Sequence, residues 1–82
     1  MTNECKVHIA IIARGFREDH HGRYSRNHLV VTYKDHGPNI WQPHAPDSNR
    51  YTMRLYANGK VVSAGTAWYA ILDHDEVKKS EV

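Results

Sequence analysis

Eighty-two residues with a single cysteine make one small domain, 1–82, that cannot close an internal disulfide. The net charge is +2 with the histidines neutral, the pI is about 8.8 and the mean hydropathy is −0.70. The longest apolar run, Ile9-Ala-Ile-Ile-Ala13, is far short of the ~20 residues a helical membrane span needs, and the pI falls short of the ~9 that argues for nucleic acid by itself.

A core this small rarely supplies more than ~3–5 kcal/mol of net stability, so a metal, a partner or a second copy of the chain is the expected support. The seven histidines would raise the charge from +2 to +9 if all were protonated, which makes the electrostatic character depend on pH. The opening Met1-Thr-Asn-Glu-Cys5 lacks a basic stretch followed by an apolar one, so a cytoplasmic setting is expected.

In chain order, Lys6 to Ala13 alternates Val7, Ile9 and Ile11 against Lys6, His8 and Ala10, which predicts a strand over 5–13. There follows the run Arg14-Gly-Phe-Arg-Glu-Asp-His-His-Gly-Arg-Tyr-Ser-Arg-Asn-His28, rich in arginine, histidine and aromatics but without apolar periodicity. It predicts a solvated loop over 14–26. Residues 27–34 alternate again, with Leu29, Val31 and Tyr33 on one side, and predict a second strand. Residues 35–49 hold all three prolines and no period, the pattern of a long loop, with Ile40 and Trp41 pinning it to the sheet or to a partner.

Asn58-Gly59 is the favoured pair for a type I′ hairpin turn because both central positions need positive φ. It predicts strands 50–57 and 60–65 with Tyr56 opposite Val61, Leu55 opposite Val62, Arg54 opposite Ser63 and Met53 opposite Ala64. Tyr51, Met53, Leu55, Val62 and Ala64 then point inward, and Arg50, Thr52, Arg54, Tyr56, Val61 and Ser63 outward. Residues 66–78 read as a helix capped by Thr66, and 79–82 as a frayed tail.

The expected fold is α+β: an antiparallel four-stranded sheet with one C-terminal helix, against an all-β alternative with the last segment as a fifth strand. The expected core is Val7, Ile9, Ile11, Leu29, Val31, Met53, Leu55, Val62, Trp68, Ile71 and Leu72.

No signature of a reaction is present. A zinc site built from His20 or His21 with His36, His44 and Asp47 has only weak spacing support, so no metal and no cofactor are assigned. His20-His21 beside Arg23, Tyr24 and Arg26 are the materials of a histidine-dependent ribonuclease, but a general base needs a rigidly oriented partner. Catalysis is therefore the third reading, and the chain is expected not to be an enzyme. Arg14-Gly-Phe16 lacks the Gly/Ala-Phe-Val continuation of the RNA-recognition-motif signature. The 51–65 hairpin lacks the first helix of a double-stranded-RNA-binding domain and the basic Ser-Lys-Lys start of that family's following helix, so neither family is assigned.

Arginine, tyrosine and tryptophan dominate binding hot spots because they combine rigid area with directed hydrogen bonds. The candidate contact residues are Arg14, Phe16, Arg17, Arg23, Tyr24, Arg26, Trp41, Arg50, Arg54 and Tyr56. The expected function is that of a small non-enzymatic inhibitor or regulator that occludes a protein or nucleoprotein partner. Direct binding of RNA or DNA through the same surface is the alternative, because stacked aromatics between arginines also suit nucleic acid.

Overall fold

The computed structural model describes residues 6–37 and 50–79. The fold is α+β: a five-stranded antiparallel sheet with its helices on one side. Helix α1 (Lys6–Ala13) precedes strands β1 (Arg17–His20), β2 (Arg23–Arg26), β3 (Leu29–Asp35), β4 (Tyr51–Ala57) and β5 (Lys60–Gly65). Helices α2 (Trp68–Leu72) and α3 (Asp75–Lys79) close the described chain. The strands follow one another across the sheet in chain order, each antiparallel to the next. No helix among the described residues is long and apolar enough to cross a membrane.

Three elements depart from the sequence expectation. The segment expected as a first strand is α1. Val7 and Ile11 satisfy a period of two and also lie one helical turn apart, and in the helix both are fully buried while Ile9 turns to solvent at 54% exposure. The run expected as a 14–26 loop is the β1–β2 hairpin, which supplies the fifth strand. The expected 66–78 helix is broken at Asp73–His74, where the His74 ring accepts the amide of Glu76 at 3.1 Å and starts a new helix that carries Val77 back into the core. Its first turn follows Ala67, whose side chain caps nothing, rather than Thr66.

The β4–β5 turn is as expected, with Asn58 at φ 54 and Gly59 at φ 81. Its register holds through Ala57 opposite Lys60 and Tyr56 opposite Val61, then slips. A bulge leaves Val62 without an opposite residue and sets Ser63 against Leu55 and Ala64 against Arg54. Val62 and Ala64 are therefore exposed rather than inward, and Ser63 takes the core side.

The core is one cluster: Val7 and Ile11 of α1, Phe16, Tyr24 of β2, Leu29 and Val31 of β3, Tyr51, Met53 and Leu55 of β4, Ile71 and Leu72 of α2, and Val77 of α3. Trp68 packs against it only partly buried. All three helices feed that single cluster. Tyr24, Leu29, Val31, Tyr51, Met53 and Leu55 therefore share one sheet face, and their strand neighbours of opposite parity face away from the helices.

Candidate functional site: the open face of the sheet

Strand parity sorts the arginines of the 14–28 run into two groups. Cross-strand partners lie on one face, so Tyr24 opposite Val31 and Arg26 opposite Leu29 point to the helix side. Arg17 opposite Ser25, and Arg23 opposite Thr32, point to the other side.

The helix-side group is structural. Phe16 is 2% exposed and Tyr24 is fully buried, so neither is available to stack on a partner, contrary to the sequence expectation. The Tyr24 hydroxyl lies 2.6 Å from His8 Nδ1, and its ring stacks on Tyr33, with centroids 5.9 Å apart. The Arg26 guanidinium sits 4.8 Å from the centre of the Phe16 ring. It donates to the carbonyls of Arg14 and of Val77, the latter at 2.6 Å. Arg14 donates to its own helix at Ala10 O (3.0 Å), to Leu72 O (3.3 Å) and to the Asp73 carboxylate (3.1 Å). Arg14 and Arg26 thus satisfy carbonyls at or beside three helix ends, a task that guanidinium forks perform well. Both act as fasteners of the fold.

Arg50 is likewise engaged. Its Nε and Nη2 donate to the two Asp35 carboxylate oxygens at 2.8 and 3.1 Å, and its charge lies over the Tyr51 ring. The Arg50 hydrogen bonds hold the Asp35 carboxyl below its ordinary pKa against the opposing effect of burial, with the Gly37 amide assisting. Trp41 lies outside the described residues, as do His44, Asp47 and most of the expected 35–49 loop.

What remains is a continuous surface. One cross-strand row carries Arg17, Ser25, Val30, Tyr56 and Val61; the next carries His20, Arg23, Thr32, Arg54 and Ala64; a third pairs Lys34 with Thr52. No Asp or Glu among the described residues occupies a paired position on these rows: Glu18 faces Tyr24 and Asp35 faces Tyr51, both on the helix side. Arg17, Lys34 and Arg54 are exposed and have no ion-pair partner among the described residues. Arg23 meets Asp19 at 3.9 Å, an exposed and weak pairing. A shallow trough of about 500 Å³ crosses β3, β4 and β5, lined by residues 32–34, 52–54 and 64–66, Tyr33 and Met53 among them.

Sequence reasoning named Arg54, Tyr56, Arg17 and Arg23 but missed Lys34, Thr32 and Thr52. The signal was alternation, of Thr32 and Lys34 with Val31 and Tyr33 and of Thr52 with Tyr51 and Met53, which places them on the face opposite the core.

Neither His20 nor His21 makes a side-chain hydrogen bond or ion pair to a described residue. No three His, Cys, Asp or Glu side chains among the described residues gather as a metal site. No protein-family model, curated protein or solved structure matches the chain.

Proposed function

We propose that this protein is a non-enzymatic binding module that acts by stoichiometric occlusion, laying the open face of its sheet over a site on a protein or nucleoprotein partner. One observation carries the reading. Among the described residues every helix lies on one side of the sheet, while the other side presents Arg17, Arg23, Lys34 and Arg54 with no carboxylate in a paired position. Self-repelling cations gathered on one face are a cost to the isolated fold and a gain against an anionic surface. Tyr56, half-buried between Val30 and Val61, gives that face an amphipathic anchor.

The test is affinity capture from a cell extract with the wild type and with Arg23→Glu/Arg54→Glu, followed by native mass spectrometry of the complex. The expected result is a partner held at fixed stoichiometry by the wild type and lost by the variant, with the circular dichroism of the two proteins alike. Identical capture by both proteins would remove the open face from the function.

A further inference from the structure

We infer that the ligand of the open face is the phosphodiester backbone of a single-stranded nucleic acid, the component of a nucleoprotein partner that this surface covers. The inference rests on the occlusion reading above and narrows it.

The chemistry of the trough separates nucleic acid from protein. Centres of protein–protein interfaces are depleted in lysine and rich in apolar and aromatic area, whereas nucleic-acid interfaces are more polar and far more positive. Here the trough carries Lys34 and Arg54 among Thr32, Thr52 and Thr66, with Tyr33 and Met53 also in its lining. Two cations gather with three hydroxyls, the Thr52 one lying 2.9 Å from His36 Nε2, and among the described residues no acid holds a paired position there; such a set is matched to phosphate oxygens. Arg23 adds a third charge across β3, two strand spacings or ~10 Å from Arg54. Arg17 lies on the adjoining row with Tyr56, which offers one ring for a base to stack on.

The width of the surface separates single strands from duplex. Five strands span four spacings, ~19 Å, and the major groove, ~12 Å wide, admits only a helix or a two-stranded ribbon. A broad sheet face suits a strand laid across it with its bases unstacked. With one aromatic on the described face, phosphate contacts dominate and binding is tolerant of sequence.

The experiment is fluorescence anisotropy with labelled oligo-dT and oligo-U against a salt series. Four cations at about 0.7 each predict that log K falls against log salt with a slope near −2.8, or about 50-fold between ~50 and ~200 mM salt. Arg23→Gln/Arg54→Gln should halve the slope to about −1.4, or about 7-fold over the same range. Lys78→Gln, on the helix side, should leave it unchanged. Two results would overturn the inference: no binding of either oligonucleotide at low salt, or equal affinity and slope for poly-glutamate. If oligonucleotides fail while extract capture still depends on Arg23 and Arg54, the occlusion reading stands with an acidic protein as the ligand.

Discussion

Replacing Arg26 with methionine isolates the contribution of its guanidinium, because methionine keeps an unbranched apolar stem beside Phe16 and removes the charged fork. The fork makes two charge-assisted bonds, to the Arg14 and Val77 carbonyls, and a cation–π contact with Phe16. Bonds to charged groups contribute ~1.5–3 kcal/mol each, and the ring contact ~0.5–2 kcal/mol. These act as a unit and the thioether recovers some packing, so the expected loss is ~3–4 kcal/mol. A domain of this length has about 4–12 kcal/mol in all, so the substitution removes a large fraction of it. Each kcal/mol moves the midpoint ~4–8 °C in a chain of this size, which places the drop between ~12 and ~30 °C. Arg26→Lys should recover at most half, since an ammonium lacks the planar fork that spans two acceptors. Arg17→Met, on the open face, should stay within ~0.5 kcal/mol of wild type. Urea unfolding followed by circular dichroism measures all three. If Arg26→Met unfolded within ~1 kcal/mol of wild type, the assignment of Arg26 as a fastener would be wrong.

Gly22→Ala should cost at least ~1–3 kcal/mol, because Gly22 sits at φ +78 and a Cβ there would meet the Tyr33 carbonyl oxygen at 2.9 Å; a urea midpoint equal to wild type would contradict this geometry. Tyr24→Phe keeps the buried ring but leaves the His8 side without its 2.6 Å partner, for an expected loss of ~1–2 kcal/mol by the same assay. Asp35→Asn should cost less than ~1 kcal/mol at neutral pH, since its pair with Arg50 is more than a third exposed. The Asp35 pKa is lowered in the fold, so the pair's contribution is fully present above the unfolded value near ~3.9 and lost as pH falls through the lower folded one. Variant and wild-type stabilities should therefore converge in acid, and a difference that persisted there would assign the effect to something other than this ion pair.

The part of the fold legible in the sequence is β3–β4–β5, where alternation is strict and Asn58-Gly59 fixes the turn. Even there the bulge at Val62 was hidden, because Val61, Val62 and Ser63 carry no mark of which one the ladder omits. Helix α1 was misread because Val7 and Ile11 fit both periods; only the packing of α1 on the sheet decides between them. The β1–β2 hairpin escaped notice because all four residues of β1 are exposed, and β2 buries Tyr24 alone to the full extent. An edge strand with nothing to bury has no apolar pattern to read. A usable signal existed in the spacing itself. Phe16 and Tyr24 bracket Gly22, so two aromatics flank a turn residue, which is what a hairpin with one buried side requires. Reading the run as a loop made every arginine in it look available, and Arg14 and Arg26 were lost to the candidate site for that reason.

On the proposed reading, strand parity divides stability and recognition between neighbouring residues. In β2, Tyr24 and Arg26 face the helices and hold the fold, while Arg23 and Ser25 face away. A one-residue slip of β2 against β3 would exchange the sets, burying Arg23 without its exposed pairing to Asp19 and casting Tyr24 into water, so the core fixes which cations remain outside. The same core-side parity in β3 and β4, set by Val31 and Leu55, leaves Thr32, Lys34, Thr52 and Arg54 on the open face. The open-face cations make no contact on which the fold depends, so their number and position are free to be set by a ligand. Arg14 and Arg26 are bound to backbone carbonyls and have no such freedom. Loss of binding with the fold retained is therefore expected only from the outward set, and loss of fold only from the inward one.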